Sequence, residues 1–205
     1  MLKPVLLFTL VLAACTRSGA PDLSAYSGEH ESLSRLCGNP ALLGERLDDI
    51  SQGQCRIDNP VLVHVVAGVE LSTPATLNCG TANTLADWVQ NDAQNAVKSL
   101  RSRITSMRVL ASYACRTRNS QPGARLSEHA LGNAIDIGSF KLANGTELSI
   151  EYDWRRTDRE GQAIRALVDS ACGPFGTVLG PDSDPFHYNN LHLDTAKYRS
   201  GAYCR

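Results

Sequence analysis

The stretch Ser127-Glu-His-Ala-Leu-Gly-Asn-Ala-Ile-Asp136 is the segment on which the predicted fold and site of this chain depend. Six residues separate His129 from Asp136, and Gly132 between them favours a turn that folds the chain back on itself. Such a turn brings an imidazole nitrogen and a carboxylate oxygen together, which is part of a typical zinc shell. A lone pair of this kind also occurs on surfaces and in hydrogen-bonded cores, so a metal site requires further ligands.

A second group of metal-ligating side chains lies in residues 187–194, which read HYNNLHLD. If the end of this segment is a strand, then His192 and Asp194 lie on the same face, because side chains alternate along a strand. The residues His129, Asp136 and His192 then form a set of three ligands with one open position. That arrangement is typical of catalytic zinc sites rather than of structural ones.

Composition excludes several classes of protein. The chain has 205 residues, a length that suits one domain with a short extension. Hydrophobic residues make up 42%, enough for a core and too many for a disordered chain. Lys and Arg number 20 against 21 Asp and Glu, for a net charge of -1, so we expect no nucleic-acid partner.

The N-terminus predicts export and lipid attachment. Residues 1–14 have a positive Lys3, an apolar run and small residues before Cys15, as a signal peptide does. The tetrad Leu12-Ala-Ala-Cys15 resembles a bacterial lipobox, which implies cleavage before Cys15 and acylation of its thiol. An ordinary secretory signal is the alternative. We therefore expect a tether over residues 15–30 and a lipid-anchored protein that faces the periplasm, at the outer membrane.

Six cysteines remain after Cys15, and their even number in an oxidising compartment predicts three disulfides. These are Cys37, Cys55, Cys79, Cys115, Cys172 and Cys204. Their spacings are long and include no C-x2-C pair, which argues against a zinc-thiolate site. Fifteen connectivities remain open.

Apolar periodicity and turn signals predict the secondary structure. Helices are expected over residues 32–51, 82–100 and 159–172, and strands over 61–66, 69–71, 107–113, 134–142, 147–150, 175–179 and 191–195. Thr157 and Glu160 have the spacing of a capping box before the last helix. The fold class is therefore α+β, with a small, largely antiparallel sheet and flanking helices. We expect an N-terminal extension over residues 31–56 and a domain over residues 57–205.

The central segment resembles known zinc-ligand motifs. The pattern Ser-x-His-x-x-Gly-x-Ala-x-Asp is similar to that of bacterial D-Ala-D-Ala carboxypeptidases, penicillin-insensitive murein endopeptidases and the zinc domain of hedgehog proteins. More closely, residues 57–194 resemble the bacterial extensin-like C-terminal domain family. The matching pieces are residues 58–61, 71–77, 112–116, 125–136, 175–181 and 191–194.

This resemblance implies a hedgehog/DD-peptidase-like zinc fold and a peptidase that acts on peptidoglycan stem peptides. It assigns Zn²⁺ to the three ligands named above. Arg116 lies where these enzymes often carry an arginine that binds a substrate carboxylate or the developing oxyanion, and a surface arginine is an equal alternative. Arg125 is a weaker substitute. Ser127 is expected to brace its loop, and Asp194 to orient His192.

One departure from the family pattern concerns the general base. Asn190 occupies the position where members usually carry a histidine that assists proton transfer, and Asn189 the position where related peptidases carry a glutamate. Among the remaining groups, His187 is our prediction for the base because its unperturbed pKa near 6.5 suits the role. Glu128 and Asp194 are the alternatives. The competing hypothesis is a non-catalytic peptidoglycan-binding or structural envelope lipoprotein with a degenerate active site.

Overall fold

The fold is described from a computed structural model, which covers residues 33–198 and 200–205. The predicted signal peptide, the tether and the lipidation site Cys15 lie outside these residues. Among the described residues, no helix is long and apolar enough to cross a membrane.

A large mixed sheet forms the body of the molecule. The strands are β1 (Ser34–Leu36), β2 (Asn39–Arg46), β3 (Ile50–Gln52), β4 (Cys55–Ile57), β5 (Val61–Val66), β6 (Val69–Leu77), β7 (Ile104–Ala111), β8 (Ala134–Leu142), β9 (Glu147–Ser149), β10 (Thr177–Leu179), β11 (Leu191–Asp194) and β12 (Tyr203–Cys204). Their order is β1-β2-β5-β6-β7-β8-β11-β10-β12, with β9 paired to β8, while β3 and β4 form a separate hairpin. The β6–β7 and β10–β12 pairs are parallel and the others antiparallel. The predicted α+β class with a largely antiparallel sheet is confirmed, but the sheet has ten strands and is not the small one that was expected.

The helices are few and lie in two parts of the chain. They are α1 (Cys79–Trp88), α2 (Gln94–Ala96), α3 (Ile150–Asp153) and α4 (Arg159–Ala171). A π-helical turn at Val89–Ala93 joins α1 to α2, and a 3-10 turn at Lys98–Leu100 follows. The predicted helix over residues 82–100 is therefore interrupted. The predicted capping box is wrong, because Asp158 caps α4 and accepts from the backbone N–H of Gly161 at 3.1 Å.

The helices and the sheet share one apolar core. Trp88 of α1 makes edge-to-face contacts with Phe140 of β8 and with Phe175, at centroid distances of 6.3 and 5.9 Å. Its indole N–H donates to Ser170 Oγ of α4 at 2.9 Å. This cluster joins both helical segments to the strand that carries the site.

Alternation along β8 and β11 gives these two neighbouring strands one apolar and one polar face. The apolar side chains belong to the core and are fully buried: Ile135, Ile137, Leu191 and Leu193. The residues between them, Asp136 and His192, therefore point to the opposite face. Because β8 and β11 pair with His192 directly opposite Asp136, these two side chains are neighbours.

The predicted helix over residues 32–51 is wrong. This part of the chain forms β1, β2 and the start of the β3–β4 hairpin, and β2 pairs with β5 in the main sheet. Cys37 and Gly38 adopt positive φ angles of 56° and 68° in the turn between β1 and β2, which no continuous helix allows. Pro40 also lacks the N–H that a helix interior requires. The segment expected as an N-terminal extension thus contributes two strands to the main sheet.

The three predicted disulfides are confirmed. They join Cys37 to Cys79, Cys55 to Cys115 and Cys172 to Cys204. The second bridge fixes β4 to the loop that leads into Arg116, and the third fixes the end of α4 to β12. Both bridges therefore hold segments that border the site described below.

Candidate metal centre

A cleft of about 540 Å³ opens over the polar face of β8 and β11. Its walls include the 3-10 turn at Glu128–Leu131, the 3-10 turn at Pro185–His187 and the aromatic residues Tyr198 and Tyr203. The side chains of His129, Asp136 and His192 all face this cleft.

The three predicted ligands converge on one point. His129 Nε2 lies 3.2 Å from Asp136 Oδ1 and 3.2 Å from His192 Nδ1, and His192 Nδ1 lies 2.8 Å from Asp136 Oδ1. Among the described residues they form a group that could hold a metal ion. Ligand bonds of about 2.0–2.1 Å at a tetrahedral angle place donor atoms about 3.3 Å apart, so the observed spacing suits such an ion. The donor set of two imidazoles and one carboxylate fits the same chemistry.

The turn around Gly132 delivers His129 to this point. Gly132 has φ +65°, and a Cβ built there would lie 2.6 Å from Ile57 Cδ1 and 2.9 Å from the backbone nitrogen of Asn78. Glycine therefore satisfies both the left-handed conformation and the close approach. The chain reverses there and continues directly into β8, which carries Asp136.

Two contacts fix the His129 ring and backbone. Its Nδ1–H donates to the Ser112 carbonyl at 2.6 Å, so Nε2 is the nitrogen that faces Asp136 and His192. The Ser127 hydroxyl oxygen is buried and accepts from the His129 backbone N–H at 3.4 Å. Ser127 thus caps the turn that carries His129.

His192 uses its two nitrogens differently. Nδ1 faces Asp136 and His129, the other two members of the candidate metal-binding group, and Nε2–H donates to Asp194 Oδ2 at 3.2 Å. The other oxygen of Asp194 accepts from the backbone N–H of Ala196 at 2.9 Å, which fixes the carboxylate. Asp194 therefore holds the ring with Nδ1 toward the cluster.

Burial and hydrogen bonds act in opposite directions on the pKa values of the cluster. Burial disfavours the imidazolium of His192, but the hydrogen bonds to Asp136 and Asp194 outweigh it and raise the pKa to about 9. Burial likewise opposes ionisation of Asp136, but the hydrogen bonds from His129 and His192 outweigh it and hold the pKa of Asp136 below its ordinary value. In the metal-free protein the pair is thus an imidazolium and a carboxylate.

His187 already lies beside the cluster. Its buried ring packs edge-on against the His192 ring at a centroid distance of 5.6 Å. Its Nδ1 lies 2.9 Å from Asp184 Oδ1, in the 3-10 turn that borders the cleft. No loop movement is needed to bring this histidine to the site.

The residues expected near the base have other partners. Asn190 directs its amide N–H groups to the Phe186 carbonyl and to Asn189 Oδ1, at 3.3 and 3.1 Å. Glu128 contacts Arg118 at 3.6 Å and accepts from Asn133 at 2.8 Å. Both side chains line the cleft, and the described hydrogen bonds hold each of them to these partners.

The arginines differ in position. Arg116 lines the cleft and donates to the Thr117 carbonyl at 3.3 Å. Arg125 is exposed and is not among the residues that line the cleft. Arg118, which sequence reasoning missed, lines the cleft beside Arg116. The spacing Arg116-x-Arg118 after a cysteine was the available signal, although it does not distinguish this loop from any exposed basic loop.

Comparison with known proteins gives one match. Residues 38–205 match the family model described as extensin-like protein C-terminus. No curated protein and no solved structure matches the chain significantly. The matched span contains all of the residues that line the cleft.

Proposed function

The chain belongs to the extensin-like C-terminal family, and on that premise we propose that it is a zinc-dependent peptidase acting on peptidoglycan stem peptides. The observation that carries the proposal is the convergence of His129 Nε2, Asp136 Oδ1 and His192 Nδ1 at the base of an open cleft. Structural zinc sites are closed by four protein ligands, whereas three ligands leave a position for water or substrate.

Zinc suits this donor set because it binds imidazole and carboxylate groups in a tetrahedral arrangement. When bound, zinc supplies Lewis-acid chemistry, polarising a carbonyl and lowering the pKa of bound water toward neutrality. The chain's own contribution begins with the ring orientations. Ser112 and Asp194 hold His129 and His192 with the required nitrogens toward the site.

Substrate binding is assigned to the basic wall of the cleft. Arg116 and Arg118 lie on the same loop, and stem peptides carry carboxylates. A guanidinium binds a carboxylate through two parallel hydrogen bonds, and it also stabilises an oxyanion that develops at the scissile bond. Arg118 is half-exposed and its contact with Glu128 is loose at 3.6 Å, so it is able to turn toward a ligand.

The proton transfer is assigned to His187. The other two candidates are committed elsewhere, Glu128 to Arg118 and Asn133, and Asp194 to His192 and Ala196. With Nδ1 occupied by Asp184, the Nε2 nitrogen of His187 is the one that accepts and returns a proton.

The remaining parts of the proposal concern fold and location. The antiparallel pair that carries Asp136 and His192, preceded by the His129 turn, suits a hedgehog/DD-peptidase-like zinc fold. The lipobox-like tetrad at Cys15 suits a lipid anchor, with the domain facing the periplasm and its peptidoglycan at the outer membrane.

A second candidate function is a peptidoglycan-binding lipoprotein that does not hydrolyse its ligand. Asn190 favours it, because an amide replaces the family's proton-shuttling histidine and a carboxamide does not act as a general base. In that case Arg116 and Arg118, together with the metal, would hold a stem peptide without cleaving it.

Digestion of purified muropeptides separates the two candidates. We expect the zinc-loaded protein to shorten or split the stem peptides, a chelator to stop the reaction and added zinc to restore it, with products read by mass spectrometry. The matched control is His129→Ala, which should have neither stoichiometric zinc nor activity. Zinc-loaded protein that retains muropeptides on a column but leaves every peptide bond intact would favour the binding protein.

A further inference from the structure

We propose that Asp184 is a positioning residue of the site, whose carboxylate holds His187 in the tautomer with the proton on Nδ1 and none on Nε2. The inference deepens the proposed function, because it concerns the orientation of the group assigned as the base. It rests on a hydrogen bond that local sequence patterns do not reveal.

The contact is short and lies within a tight turn. Asp184 Oδ1 is 2.9 Å from His187 Nδ1 and also accepts from the backbone N–H of Phe186 at 2.8 Å. The His187 backbone N–H donates to the Asp184 carbonyl at 3.2 Å, and Pro185 restricts the turn between them. The carboxylate, the backbone and the ring therefore form one small unit.

Burial makes this hydrogen bond consequential. The His187 side chain is 11% exposed, and that of Asp184 is 34% exposed. A neutral imidazole carries its single proton on either nitrogen, and the partner of one nitrogen decides which. Because a carboxylate only accepts, it selects the proton on Nδ1 and leaves the lone pair on Nε2.

Without Asp184, nothing described in this turn selects between the two tautomers. The nearest ring is His192 at 5.6 Å between centroids, and both of its nitrogens face acidic partners, Asp136 and Asp194. A ring free to carry its proton on Nε2 has no lone pair there, so part of the population would be unable to act as base. The expected consequence is a lower kcat with an unchanged KM.

Asp184 also caps its own turn, so the test has to separate this structural role from the positioning of His187. Its oxygen caps the turn through Phe186, so a general loss of structure after Asp184→Ala would mimic a positioning role. Asp184→Ser keeps a side-chain oxygen suited to capping but is too short to reach the ring. Asp184→Asn keeps the size of the side chain and an oxygen suited to capping, but its carboxamide also offers an N–H donor, so it no longer selects one tautomer. Asp182→Ser, in the same loop, is the matched control.

The decisive measurement is the protonation of the His187 nitrogens in zinc-loaded, ¹⁵N-histidine-labelled protein, read by NMR and assigned with His187→Gln. We expect the wild-type protein and Asp182→Ser to show a protonated Nδ1 and a bare Nε2, and Asp184→Asn to show a mixture of the two tautomers. Asp184→Ser should show mixed tautomers, a kcat lower by about 10–100-fold, and unchanged KM and zinc content.

Two results would overturn the positioning role: a wild-type His187 with its proton on Nε2, or an Asp184→Ser protein that keeps both the wild-type tautomer and kcat. The NMR signature does not depend on turnover. A protein that never cleaves a muropeptide would therefore overturn the proposed function, while the NMR result would still decide the role of Asp184.

Discussion

In the proposed mechanism, His187 takes the role that the family pattern gives to a histidine at position 190. Asn190 sits close to the ligand strand but directs its N–H groups to Phe186 and Asn189. His187 is three residues earlier, in a turn, yet its ring reaches the ring of His192. At the scale of single residues, the proposed assignment of proton transfer to His187 therefore rests on position in space rather than on position in the motif.

The first prediction tests this assignment. If His187 is the base, His187→Ala should lower kcat by about 10²–10⁴-fold, because that is what general-base assistance contributes. Asn190→His should gain little, since the role is already filled. Kinetics on a muropeptide, with zinc content measured in parallel, check both. His64→Ala is the control, because His64 does not line the cleft. A large gain in Asn190→His and no loss in His187→Ala would assign the missing base to position 190.

A second residue-scale prediction concerns protons released on metal binding. In the proposed site His192 Nδ1 is a ligand atom, and the raised pKa of His192, about 9, favours a proton on it in the metal-free protein. Zinc binding at about pH 7.5 should therefore release at least one proton, and zinc affinity should increase as the pH rises toward that pKa.

Calorimetry in two buffers of different ionisation enthalpy gives this proton count. Asp194→Asn removes the negative charge beside His192 that helps to raise the pKa, so its proton release should fall off at a lower pH. Zinc uptake with no proton released at about pH 7.5 would contradict the prediction that His192 loses a proton when it becomes a ligand.

At the scale of elements, the turn between the Glu128–Leu131 helix and β8 sets the distance between two ligands. Gly132→Ala should destabilise the protein in two ways, by the left-handed φ and by the contact of the new Cβ with Ile57 and Asn78. The conformational part alone is about 1–2 kcal/mol. The free energy of unfolding from denaturant titration, together with zinc content, measures the effect.

The control for that substitution is Gly123→Ala. Gly123 has φ +75°, and a Cβ there meets nothing within 4 Å, so it incurs the conformational penalty alone. Gly132→Ala should therefore lose more stability than Gly123→Ala, and it alone should lose zinc. Equal losses in the two variants would mean that the close packing of this turn does not hold the ligands in place.

The elements that sequence predicted well are those with local signals. The predicted helix over residues 159–172, and the predicted strands over residues 134–142 and 147–150 with the short turn between them, depend on residues within a few positions of each other. The helix expected over residues 32–51 failed because its leucines suit either period, and pairing of β2 with the distant β5 decides between them. Arg118 and Asp184 were missed because loop geometry, which no short pattern encodes, brings them to the cleft.

At the scale of the whole molecule, two of the three disulfides lie near opposite edges of the main sheet. Cys37–Cys79 ties the β1–β2 turn to α1, whereas Cys172–Cys204 ties α4 to the terminal strand β12. The sheet thus has covalent support near both edges, where pairing is weakest. The Cys55–Cys115 bridge supports the loop that carries Arg116 and Arg118.

Because all six of these cysteines are paired, Cys15 is the one cysteine left for acylation. The lipobox-like tetrad predicts that Cys15 carries the anchor, and two or more acyl chains hold a protein stably because each buried methylene contributes about 0.8 kcal/mol. Cys15→Ser should therefore abolish labelling with palmitate and release the protein into the soluble fraction, with the metal site unchanged. Fractionation, acyl labelling and zinc content of the two proteins measure this.

Ser18→Ala, in the same expected tether, should remain in the membrane fraction. Continued palmitate labelling of Cys15→Ser would refute the anchor, whereas loss of labelling together with loss of zinc would mean that the substitution disturbs the domain itself.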